Sequence, residues 1–225
     1  MVKIISSAQI KLLVLGSVSL IVTLILSKPI ELKRSDYLPP PTAVKYLSAG
    51  MKYQIADSLW LRALQDFDYC EKKINELECK SKSWLFQTLN LATEIDPKFE
   101  PQMYKSAGLA LTVIISDYAG ASVLFDKGVR QYPHDWEISY TAAYHALYEE
   151  KNKIKAARLY EQAAKNGAPS WVYSLAGRLA KDGGEDEYSA KILEGMIATN
   201  QDEKIIKRLR DKIAEVEASR KSLKK

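Results

Sequence analysis

At 225 residues, with 47% hydrophobic and 27% charged side chains, the chain has the composition of one or two folded domains, not of a disordered polymer. Its formal charge of +5 sits in one tail: residues 204–225 hold nine Lys/Arg against three Asp/Glu, and the remainder of the chain 24 against 25. With no aromatic-and-basic platform, zinc spacing or RNA-binding signature elsewhere, that distribution argues against a nucleic-acid partner.

Residues 1–28 read as an N-terminal membrane anchor. Sixteen uncharged residues separate Lys11 from Lys28, and Ile4, Ile5 and Ile10 extend the apolar run. A spanning helix needs about 20 apolar residues, a length reached if Lys11 bends its ammonium toward the headgroups. A cleaved signal peptide needs small residues before its cut site, whereas this run ends Ile25-Leu26-Ser27-Lys28-Pro29. The predicted topology is therefore single-pass. Lys28, Lys33, Arg34 and Lys45 follow the span while Lys3 and Lys11 precede it, a balance that favours a cytoplasmic domain under the positive-inside rule. Long domains, however, translocate largely regardless of flanking charge.

Residues 29–41 form a polar spacer whose Pro39-Pro40-Pro41 run favours stiff polyproline geometry. Helical patterning starts near Thr42. Cys70 and Cys79 fall in a predicted interhelical loop, nine residues apart, a separation that a disulfide closes readily in an oxidising compartment. The other reading is two unrelated buried thiols. The pair tilts the expected location of the domain to the periplasm or cell exterior.

Beyond the spacer one pattern recurs. Trp60, Ala63, Leu64 and Phe67 form a set of bulky and small residues at helical spacing. It returns as Tyr104, Ala107, Gly108, Leu111; as Tyr140, Ala143, Tyr144, Leu147; and as Tyr173, Ala176, Gly177, Ala180. A second set follows each: Leu85, Leu89, Ala92 before Pro97; Ala121, Phe125, Gly128 before Pro133; Ala156, Tyr160, Ala163 before Pro169; and Ser189, Leu193, Met196. Equivalent positions lie 36 residues apart (85 to 121) and then 35 (121 to 156). Small residues suit the close crossing of two helices, large ones fill the gap to a neighbour, and proline ends the second helix. Asp135 and Ser170 stand as N-caps for the helices that follow. A final amphipathic helix, about residues 202–219, carries Ile205, Ile206, Leu209, Ile213 and Val216 on one face.

In this pattern the chain resembles the tetratricopeptide repeat (TPR) family, whose unit is a helical hairpin of about 34 residues. The resemblance implies an all-α fold: a TPR-like α-solenoid of about four hairpins over residues 42–201, closed by a capping helix and basic tail over 202–225. The first repeat departs from the family in its long, Cys-bearing turn.

The residues offer little chemistry. His134 lies in a turn, neither His has a metal-ligand neighbour at useful spacing, and no phosphate-binding glycine loop or nucleophile motif is present. No enzyme, cofactor, metal or small-molecule substrate is expected. What the resemblance implies instead is a concave groove lined by the first helix of each repeat. Carried over residue by residue, the family's groove positions fall on Leu61 and Gln65; Lys105 and Leu109; Ile138, Thr141, His145 and Tyr148; and Trp171, Arg178 and Lys181. The family's chaperone clamp also needs asparagines there, and none occupies these positions. The expected function is a membrane-anchored scaffold that binds a protein or peptide partner in envelope assembly or secretion. The alternative is a permanent structural subunit of a larger membrane machine such as a pilus, motility or export complex.

Overall fold

In the computed structural model the structure describes residues 7–26, 40–65 and 83–223, and within α1 the side chains of 14–23. All regular structure among the described residues is helical. The chain divides into two units, residues 1–37 and 38–225. The first unit contains α1 (Ser7–Leu26). Its ten described side chains, 14–23, are all exposed, including Leu15, Val18, Leu20 and Ile21. Among the described residues, no helix is long and apolar enough to cross a membrane. The anchor expected over 1–28 extends beyond them.

The second unit starts with a 3-10 turn, Thr42–Lys45, and continues through α2 (Lys52–Gln65) and α3 (Trp84–Ile95). Three hairpins follow: α4 (Pro101–Val113) with α5 (Tyr118–Gln131), α6 (Trp136–Tyr148) with α7 (Lys153–Lys165), and α8 (Ser170–Asp182) with α9 (Asp186–Ala198). The chain closes on α10 (Glu203–Leu223), which ends four residues later than expected from its apolar face. From α2 onward each helix packs on the next one, α4 also packs on α6, and α10 lies on α8 and α9.

Local chemistry fixes these boundaries. The side chains of Ser83, Asp117, Asp135 and Asn152 accept backbone hydrogen bonds from Phe86, Gly120, Ile138 and Lys155, each satisfying one first-turn donor of α3, α5, α6 and α7. Ser170 is not a cap but the first residue of α8; Pro169 takes the capping place without a side-chain bond. The last three hairpins turn alike, the final turn being one residue shorter than the other two. Ser116, Lys151 and Gly184 adopt positive φ of 53°, 56° and 91°. The next N–H then reaches back into the first helix: Asp117 to the Leu111 carbonyl, Asn152 to Ala146 and Glu185 to Ala180, each 2.9 Å.

Those bonds correct the register expected for α6. Ala146, not Leu147, is the counterpart of Leu111 and Ala180, so the repeat positions of α6 fall on Ser139, Ala142, Ala143 and Ala146, all buried. It matches Tyr104, Ala107, Gly108 and Leu111 at a 35-residue interval, and Tyr173, Ala176, Gly177 and Ala180 a further 34 on. Tyr144, expected inside, is 51% exposed. The second helices keep the expected register: Leu85, Leu89 and Ala92, Ala121 and Phe125, and Ala156, Tyr160 and Ala163 are all at most 2% exposed.

The hairpins cross closely enough to need their small residues. A methyl on Gly108 would meet the Phe125 ring, and one on Gly177 would meet Leu209 of α10. Leu209 (0% exposed) and Ile206 thus seal the open face of the last hairpin. Cys70 and Cys79, with the long turn that carries them, lie outside the described residues.

Candidate partner-binding cleft

The N-terminal ends of α4, α6 and α8 converge on a cleft of about 280 Å³, lined by Lys105 of α4, Trp136, Glu137, Tyr140 and Thr141 of α6, and Pro169 and Trp171 at the start of α8. The one-residue shift in α6 builds it. With Ser139, Ala142 and Ala143 turned inward, Glu137 and Tyr140 fall on the outer side of the helix, one turn apart. Tyr140 makes edge contacts with both indoles: its ring centroid is 6.3 Å from Trp136 at 75° and 6.1 Å from Trp171 at 87°. Tyr140 is braced from below by buried Tyr160, 5.3 Å away. The three rings form successive walls at nearly right angles, a geometry favoured by the ring quadrupoles.

The charges beside the rings cancel. Lys105 forms an ion pair with Glu137, and Gln102 donates a further 3.3 Å hydrogen bond to the same carboxylate. The Lys105 hydrogen bond, then that of Gln102, holds the Glu137 carboxyl below its ordinary pKa. Among the described residues, no protein group accepts a hydrogen bond from the Trp136 or Trp171 indole N–H or from the Tyr140 hydroxyl. Further along α6, the rings of Tyr144 and Tyr148 lie 4.4 Å apart, 51% and 48% exposed, extending the aromatic surface.

The residues expected to line a groove divide between surface and interior. Lys105, Thr141 and Trp171 line the cleft. Leu109 and Tyr148 are exposed on the same two first helices, and Leu61 and Gln65 are exposed on α2. Arg178 is half-buried on α8. Three others offer no surface for a partner. Ile138 is fully buried, its side chain packed over the backbone of Gly128. His145, 3% exposed, turns toward α5: its Nε2 lies 3.1 Å from the Tyr118 carbonyl and from Ser122 Oγ, and its Nδ1 3.1 Å from Thr112 Oγ1. Burial pushes the His145 pKa down, against the opposing pull of the Tyr118 carbonyl and the Glu150 and Glu149 carboxylates. Lys181, 2% exposed, pairs with Asp186 at 3.2 Å and with Glu217 of α10 at 3.1 Å. Its place is at the foot of the last helix.

Sequence reasoning missed Trp136, Glu137 and Tyr140. The adjacent Ala142 and Ala143 fit the small-residue pattern in either of two phases, and only the turn geometry at Lys151 selects one. Among the described residues no group of three or more His, Cys, Asp or Glu is placed to hold a metal. No family model, curated protein or solved structure matches the chain.

Proposed function

We propose that this chain is a membrane-anchored, non-enzymatic scaffold whose TPR-like α-solenoid docks a protein or peptide segment along its first helices. The observation that carries the reading is the aromatic cleft across α4, α6 and α8, open to solvent and built from three successive hairpins. A cleft of this size suits one or two side chains of a longer ligand, and its apolar walls with few polar groups fit recognition better than catalysis. The anchor rests on α1 and the uncharged sequence from 12 to 27. The side of the membrane rests on Cys70 and Cys79, and maleimide labelling of intact cells with and without reduction tests it.

Two experiments test the scaffold. A photoreactive residue replacing Tyr144 should crosslink one protein in intact cells, whereas the same residue replacing exposed Lys191 on α9 should not. Equal labelling from both sites, or none from Tyr144, sinks the groove. Alkaline carbonate washing should leave the full chain in the membrane pellet; release would remove the anchor. A permanent place in a larger membrane assembly is the second reading, favoured by the apolar end of the stack. There Tyr46, Leu47, Met51 and Leu61 are 78%, 78%, 56% and 57% exposed. That reading expects the chain to be unstable or self-associating without its neighbours.

A further inference from the structure

We propose that the segment docked in the Trp136–Tyr140–Trp171 cleft is a proline-rich stretch of a partner protein in polyproline II conformation. This rests on the groove reading and names the chemistry of its ligand. Three properties of the lining select it.

The walls are flat and nearly perpendicular, with Tyr140 at 75° to Trp136 and 87° to Trp171. Pyrrolidine rings project from a polyproline helix at fixed intervals as rigid apolar blocks and stack on such walls. The uncommitted polar atoms of the three aromatic residues are donors: two indole N–H groups and a phenol O–H that can donate. A polyproline segment is their complement. It has backbone carbonyls with no internal partner and, at proline, no N–H to leave unsatisfied. The cleft also carries no net charge. An aromatic box invites a cation as its occupant, but here Glu137 is already paired with Lys105 and Gln102, and a ligand cation would enter beside the Lys105 ammonium.

The chain has a proline run of its own, Pro39–Pro41, but its end is committed elsewhere. The Pro41 carbonyl accepts from the Val44 N–H at 3.1 Å, and the turn it opens packs on α3, where Lys45 pairs with Glu94. A polyproline ligand is preorganised, so little ordering entropy opposes docking.

The test is calorimetric titration of the full chain in mild detergent with decaproline, a glycine–serine peptide of equal length and a trimethyllysine peptide. Decaproline should bind saturably and the other two should not. Trp171→Leu should weaken binding by about tenfold or more, as for loss of an aromatic anchor. Trp171 is 43% exposed, so this change spares the core. Tyr140→Phe, which keeps the ring and removes only the hydroxyl, should weaken it by about fivefold. Binding of decaproline that ignores both substitutions overturns the proposal, as does preference for trimethyllysine. If decaproline binds only after Pro39–Pro41 are replaced by serine, the occupant is a second copy of this chain, and the proposal also fails. Absence of decaproline binding alongside site-specific crosslinking from Tyr144 removes the proline inference and leaves the groove; loss of both removes the groove as well.

Discussion

Gly128 shows how narrowly single positions are specified. Its counterparts in the neighbouring hairpins are Ala92 and Ala163, so by pattern an alanine belongs there. In α5, though, a Cβ would lie 2.7 Å from the Cβ of Tyr104 and collide with the Ile138 side chain. An atom that close to a backbone cannot retreat. Gly128→Ala should therefore cost about 1–3 kcal/mol, the usual range for overpacking. Adding Ile138→Val, which removes the colliding Cδ1, should return part of it, and thermal melts of the two variants measure the coupling. His145 offers a second test. Burial holds its folded pKa below the ordinary 6.5, so the unfolded chain takes up more protons as the pH falls. Its contribution to stability is complete above about pH 6.5 and is lost as the pH drops through the folded value. Glu94, Glu137 and Glu150, whose pKa values are also lowered, act in a separate window below 4.5. The melting temperature should accordingly fall between pH 7.5 and 5.5, and His145→Gln should flatten that slope (pH values about ±0.5). Parallel slopes for both proteins would show that His145 is not held neutral by the fold.

Among the elements, α10 is attached by apolar Ile206 and Leu209, by a Lys212–Asp182 ion pair at 3.4 Å and by the polar knot at Lys181. The knot is asymmetric. The Lys181 side chain is 2% exposed, while those of Asp186 and Glu217 are 47% and 55% exposed. Removing the lysine leaves two carboxylates that water can solvate, but removing both carboxylates strands a buried charge. The double variant Asp186→Asn, Glu217→Gln should thus lose about 2–4 kcal/mol, somewhat under the cost of breaking a fully buried pair, and Lys181→Met less than about 1 kcal/mol. Midpoints of urea unfolding in the reverse order would refute this account. Sequence patterning could not find the knot, because it joins residues 36 apart whose spacing resembles no motif. It did find the second helices, since Ala121, Phe125 and Gly128 and then Ala156, Tyr160 and Ala163 each admit a single phase. α6 was ambiguous because Tyr140 and Leu147 imitate the bulky buried positions Tyr104 and Leu111 of α4 while themselves only half-buried. The same slip hid Glu137 and Tyr140, so that only Lys105, Thr141 and Trp171 of the cleft were legible in advance.

At the scale of the helical unit, the main contacts among the described residues run between helices one or two places apart along the chain, with the turn at its start lying on α3. Stability in such an arrangement is a sum of local terms, and opening can start from either end without disturbing the far side. The two ends are unequal to the middle. α2 buries only Ala56 and Ala63 and leaves Tyr53, Leu61 and Leu64 about half exposed, whereas α5 to α8 have packed neighbours on both sides. Amide exchange should therefore be fastest in α2 and in the distal turns of α10, and slowest from α5 to α8. Leu209→Ala makes the expectation sharper. It empties a fully buried site over Gly177, a loss of about 2–5 kcal/mol for a truncated core leucine. If cooperativity is short-ranged, exchange should accelerate in α8, α9 and α10 while α3 to α5 keep their wild-type rates. A uniform acceleration of every helix would instead make the unit one all-or-none domain, in which a ligand bound across α4, α6 and α8 would stabilise both ends equally.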